Sequence, residues 1–154
     1  MTVYFVGAGP GDPELLTRKA ERLLRQAAVC IYAGSLVNPD ILTLLPPDAE
    51  RHDSAAMTLE ETVAVMRDAV ERGLATVRLH SGEPALYGAI REQMNLLDQY
   101  GISYELVPGI SAFQAAAAAI HGLLDEIETG LKTGESTIWS APDSARIFSA
   151  LLTL

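Results

Sequence analysis

Cysteine, aromatic residues and positive charge are all scarce in this chain of 154 residues, and each scarcity removes a class of explanations. The single cysteine, Cys30, excludes a disulfide framework and fits a reducing compartment. It lies in the apolar run AAVCIY and reads as a core residue. Eleven Lys and Arg stand against 20 Asp and Glu, a formal net charge of −9. A nucleic-acid binder needs a basic stripe to neutralise phosphates, and none is present, so no nucleic-acid partner is expected. A small acidic ligand needs only a few local arginines and remains open. No apolar run reaches the length of a membrane span, and the first residues lack the charged and apolar regions of a secretory leader. The expectation is a cytoplasmic protein with no membrane partner and no metal. What the chain does have is 49% hydrophobic residues with only 20% charged, enough to bury one domain core.

The stretch TVYFVGAGPGDPELL, residues 2–16, organises the rest. Val3 and Phe5 belong to a short apolar run that reads as a buried strand. Glycines follow at positions 7, 9 and 11, and Asp12-Pro13-Glu14 has the residues of a helix start: an N-cap, a proline at the first helical position and an acid facing the dipole. A dinucleotide fingerprint requires G-x-G-x-x-G, which this spacing does not match, and Pro10 removes a backbone donor from the loop. No Gly-Lys-Ser/Thr follows, which excludes a P-loop. The motif alone leaves open a plain strand-to-helix turn without a ligand.

Further along, apolar spacing predicts a helix from Pro13 to Arg25 and a strand from Ala27 to Tyr32. A short helix follows Asn38, and residues 50–54 suggest a short strand. Thr58 to Glu61 forms a capping box for a helix with Leu59, Val63, Met66 and Val70 on one face, stopping at Gly73. Ala75 to His80 reads as a strand, Tyr87 to Gln99 as a helix and Tyr104 to Val107 as a strand. Ser111 is the expected N-cap of the alanine-rich run 115–119. The alternation implies an α/β fold: a mostly parallel sheet with helices on both faces. Four glycine-bearing loops then leave the strands' carboxyl ends, at 7–12, 33–35, 81–84 and 108–109. That edge is where open α/β sheets bind ligands, and glycine lets a ligand approach the backbone.

Four ordered stretches, VGAGPGDPELLT (6–17), YAGSLV (32–37), HSGEPALYGAIREQM (80–94) and VPGISAFQAA (107–116), resemble the tetrapyrrole methylases. These are S-adenosylmethionine-dependent methyltransferases of porphyrinoid and corrinoid rings. YAGSLV with LHSGEPALYGAI looks most like the members that methylate carbon 11 of precorrin-4 in cobalamin biosynthesis. The resemblance implies that Pro10 faces cofactor and substrate, and that Ser81, Gly82 and Glu83 hold the methionine and ribose parts of S-adenosylmethionine. Glu83 stands where the family more often has Asp. Leu86 would touch the cofactor, and Ser111 with Ala112 would lie near its methionine end. Uroporphyrinogen methylases carry an Asp after the tyrosine of the second motif; here that position is Ala33, which leaves no evident general base. Tyr32, His80 and Tyr87 are the candidates to orient a corrinoid substrate, and a lone histidine at a strand end is more often structural. Alignment of a sulfonium methyl with an enamine-like carbon supplies much of such a reaction's acceleration.

The resemblance covers residues 1–118, taken as one α/β domain of the family's N-terminal type. Residues 119–154 lack the motifs of the family's second domain and read instead as a helix around Leu123, Ile127 and Leu131, a strand at 136–140 and a helix at 142–152. The alternative function is therefore a cofactor-binding or assembly fragment without turnover. An enzyme of the same family acting on rRNA or diphthamide is the third reading. Loss of a partner domain would expose apolar surface, which leads to the expectation of a homodimer.

Overall fold

The computed structural model describes residues 1–87 and 90–120. Expectations for the stretch beyond residue 120, and for the side chain of Tyr87, lie outside the described residues. The chain divides into two units, Met1–Ser111 and Ala112–Leu154; in the second, residues 112–120 are helical.

The first unit is built on a five-stranded sheet of β1 (Val3–Gly7), β2 (Val29–Tyr32), β3 (Glu50–Asp53), β4 (Thr76–His80) and β5 (Tyr104–Val107). Their order is β3-β2-β4-β1-β5, and every pairing is parallel. Parallel neighbours need crossovers, which are supplied by α1 (Arg18–Gln26), α2 (Pro39–Leu42), α3 (Leu59–Glu71), α4 (Pro84–Tyr87) and α5 (Arg91–Gln99). One apolar cluster joins Val6, Cys30, Val77, Leu79 and Val107 to Ala20 and Leu24 of α1 and Ile41 of α2. The other joins Val3, Phe5, Val29 and Ile31 to Val63 and Met66 of α3 and Leu97 of α5. The alternation along each strand thus feeds both faces, and the expected α/β architecture is what forms.

Local chemistry explains most boundaries. The Thr58 hydroxyl accepts the Glu61 N–H at 3.2 Å, and the Glu61 carboxylate accepts the Thr58 N–H at 2.8 Å, a complete capping box for α3. Buried positions on α3 are Thr62, Val63, Met66 and Ala69, so Ala69 lies deeper than the expected Val70. Asn38 starts α2 by accepting the Asp40 N–H at 3.0 Å.

Two expected helices are shorter than their patterns. Asp12-Pro13 opens only a 3-10 turn, Pro13–Leu15, and the helix proper begins at Arg18, where Thr17 accepts the Ala20 N–H at 3.2 Å. A second N-cap four residues after Pro13 wins because it has a full helix behind it. Likewise Tyr87 to Gln99 is not continuous. Pro84–Tyr87 is one turn, and α5 begins at Arg91 behind Ile90, which makes no side-chain cap. The strand expected from Ala27 begins at Val29, because Ala27 caps the end of α1 through its N–H to Leu24.

Candidate functional site

The loops after β1 and β4 leave toward opposite faces of the sheet, since α1 covers one face and α5 the other. Neighbouring strands whose connections diverge in this way open a crevice at their carboxyl ends. Backbone contacts close the base of that crevice. The Ala8 N–H donates to the His80 carbonyl at 2.6 Å, Gly82 N–H to the Gly9 carbonyl at 2.7 Å, and Gly9 N–H to the Gly82 carbonyl at 3.3 Å. The β5 loop joins through Glu83, whose Oε2 accepts the Gly109 N–H at 2.8 Å while Oε1 accepts the Ala85 N–H at 2.8 Å.

Gly7 shows why these loops are glycine-rich. A Cβ there would lie 2.6 Å from the Gly82 carbonyl oxygen and from Gly109 Cα. The space expected for a ligand at this position is instead filled by the protein's own backbone, a correction to the reading of that glycine. Gly82 serves a second purpose: its φ of +62° lies in the left-handed region that side chains disfavour.

Side chains tie in the remaining exits. Asn38 Nδ2 donates to the Gly11 carbonyl at 2.7 Å, linking the second loop to the first. Asp53 Oδ1 accepts the N–H groups of Gly34 and Ala55, both at 2.9 Å, and these bonds, Ala55's first, hold its carboxyl below the usual aspartate range. Ser54 Oγ donates to the Tyr32 carbonyl at 3.0 Å. Asn38, Asp53 and Ser54 were not singled out as site-building residues from sequence. Polar residues at strand exits are a visible signal, but their spacing indicates local turns and hides a partner 27 residues away.

The family-implied residues divide by exposure. Pro10 is buried within the first loop, and Ser111 is buried directly ahead of the helical residues 112–120, in which Ala112 is exposed. Ser81 and Leu86 are exposed, with Leu86 at 56%, while Gly82 and Glu83 are half-buried. Pro10, Ser81, Gly82 and Glu83 therefore belong to one knot of loops. Tyr32 and His80 do not meet: Tyr32 packs with the α1 cluster, whereas His80 stacks on Phe5 at 6.2 Å on the opposite face. Burial first, and the nearby Arg78 cation second, push the His80 pKa down to about 3. The ring is neutral near pH 7 and is a weak base, with Nε2 buried and without a described partner. Burial likewise pushes the Cys30 thiol up to about 12, which leaves it inert as a nucleophile. Among the described residues there is no grouping of three metal-ligating side chains, and no helix is long and apolar enough to cross a membrane.

A family model described as tetrapyrrole (corrin/porphyrin) methylases matches residues 2–148. The chain belongs to the tetrapyrrole methylases. It is 51% identical over 120 residues to a precorrin-4 C(11)-methyltransferase of Mycobacterium tuberculosis, covering 78% of this chain and 48% of that protein. A cobalt-precorrin-4 C(11)-methyltransferase of Methanocaldococcus jannaschii is 51% identical over 118 residues, covering 77% and 46%. The solved structure of the cobalamin biosynthetic enzyme cobalt precorrin-4 methyltransferase, CbiF, superposes with a TM-score of 0.76 at 49% identity, over 78% of this chain and 50% of that one. A Thermus thermophilus uroporphyrin-III C-methyl transferase complexed with S-adenyl homocysteine matches with a TM-score of 0.65 at 38% identity, over 76% and 48%. This tetrapyrrole methylase chain thus spans about half the length of the curated relatives it matches.

Proposed function

We propose that this chain is the cofactor-side domain of an S-adenosylmethionine-dependent methyltransferase that methylates carbon 11 of precorrin-4 in cobalamin biosynthesis. The observation that carries this reading is the meeting of the β1, β4 and β5 loops through Gly9, Gly82, Glu83 and Gly109 at one edge of the sheet. The names of the relatives supply the reaction and the substrate.

The residues present fit such a cofactor. Both Glu83 oxygens already accept a backbone N–H, yet each keeps a second lone pair for a ribose hydroxyl. Ser81 offers an exposed hydroxyl and Leu86 an exposed apolar side chain. In this reading Pro10, Ser81, Gly82, Glu83, Leu86, Ser111 and Ala112 form the cofactor set. Bound there, the cofactor brings a sulfonium methyl, an electrophile that needs no metal. The chain's own contribution is to hold the two reactants in line and exclude water. His80, neutral and packed on Phe5, shapes the edge and does not take up a proton. Tyr32 and Tyr87 are the remaining candidates to orient the corrinoid. In the same reading residues 1–118 form one domain, and the protein works as a cytoplasmic homodimer.

Titration calorimetry with S-adenosylhomocysteine tests the site. The expected result is binding that Glu83→Ala weakens roughly tenfold or more, the loss of one charge-assisted pair. No heat at millimolar ligand would sink the assignment. A second reading, a cofactor-binding fragment without turnover, is favoured by the half-length span. A methyl-transfer assay with a corrinoid acceptor separates the two, because the fragment binds cofactor yet yields no methylated product.

A further inference from the structure

On the sheet face covered by α3 and α5 lies a cleft of about 310 Å³, lined by Ser54, Thr58, Thr62, Arg78, Glu92 and Gln93 among others. None of these belongs to the proposed cofactor set. Arg78 sits in the middle of β4 and is only 7% exposed. Its Nε donates to Gln93 Oε1 at 3.1 Å, but Nη1 is buried with no partner among the described residues. No described carboxylate forms an ion pair with it, and burial lowers its pKa to about 10. A guanidinium taken out of water without an anion is a costly arrangement that a bound anion relieves.

The surroundings point the same way. Gln93 lies in the first turn of α5, a nine-residue helix that no side chain caps, so the positive end of its dipole borders the cleft. Thr58 adds a hydroxyl that accepts the Glu61 N–H and keeps its own proton to donate, whereas Ser54 and Thr62 on the same walls give theirs to the Tyr32 and Thr58 carbonyls. Glu92 lines the cleft as well and opposes a multiply charged occupant. We propose that this cleft binds the carboxylate group of a small molecule, with Arg78 as its fixed cation and the α5 amino terminus as its second positive wall. A planar guanidinium matches a carboxylate through paired N–H donors.

Thermal unfolding of the full chain in sodium acetate, against sodium chloride at equal ionic strength, tests this. Acetate is expected to raise the midpoint by several degrees, and Arg78→Met to abolish the difference. Should that variant not fold, nitrogen NMR of the wild-type Arg78 Nε–H on acetate titration decides: a saturable shift supports the site and an unmoved resonance overturns it. An equal acetate response in a folded Arg78→Met protein also overturns it. A larger response to inorganic phosphate than to acetate would overturn the choice of a carboxylate. S-adenosylhomocysteine binding is expected to be unchanged by acetate, which separates this site from the cofactor assignment.

Discussion

The two faces of the sheet are built on different terms. The face under α1 and α2 buries an apolar cluster, with charged Arg51 and Glu105 only on the exposed edge strands, and its fully buried titratable group is the Cys30 thiol. The face under α3 and α5 carries an apolar patch around Phe5 and Met66, but also buried Arg78, Gln93, Thr62 and Thr76, with His80 at its edge. Packing quality governs the first face, whereas the second also depends on keeping buried polar groups satisfied. The contrast teaches where to look for chemistry: polar groups are costly to bury, and here they gather on one side of one sheet.

The largest expected effect is a test of the packing face. Leu24→Ala removes a fully buried side chain from α1 and should cost about 3 kcal/mol, read as a shift of the denaturation midpoint with no pH dependence. A cost under 1 kcal/mol would show that this face is loosely filled. The two titratable groups sharpen the comparison because they act in opposite directions. The folded His80 pKa is depressed to about 3 from 6.5, so between those values the unfolded chain binds more protons. Stability is therefore full above about pH 6.5 and falls as the pH drops, by roughly 2–3 kcal/mol near pH 4, and His80→Phe should flatten that slope. Cys30 is the reverse: its folded pKa is raised to about 12 from 9.0, so the unfolded chain loses its proton first. Stability is full below about pH 9 and falls above it, by roughly 2 kcal/mol near pH 10.5, and Cys30→Ala should remove the slope. Alkaline weakening that survives in Cys30→Ala would dissolve the contrast between the faces. The smallest effect belongs to the edge that both faces share. Asn38→Ala cuts the bond to the Gly11 carbonyl and the cap of α2, for about 1 kcal/mol by urea unfolding, with faster amide exchange in residues 9–12.

Elements with a complete local signal were legible in the sequence. The capping box at Thr58, the Asn38-Pro39 helix start and the strand at Tyr104–Val107 all form where their residues indicate. Signals that needed a comparison with something distant misled. Asp12-Pro13 looks like a helix start until Thr17 competes with it, and the pattern through Tyr87 to Gln99 hides a break ahead of Arg91. In the site, the family motifs located the loops, but Tyr32 and His80 as a pair depended on side-chain direction. They come from different strands and point to opposite faces, and a one-dimensional pattern does not relate the pleat of one strand to that of another.

What the chain's residues determined alone is the alternation of strands and helices, the apolar faces and the position of the glycine turns, because these follow from propensities and periods acting over a few neighbours. Only the tertiary structure decided that Gly7, Gly82 and Gly109 crowd one another, that Glu83 joins two loops, and that Arg78 is buried beside a cleft without an anion. Those facts depend on strand order, which brings β4 between β1 and β2, and that order is settled by how two whole faces pack.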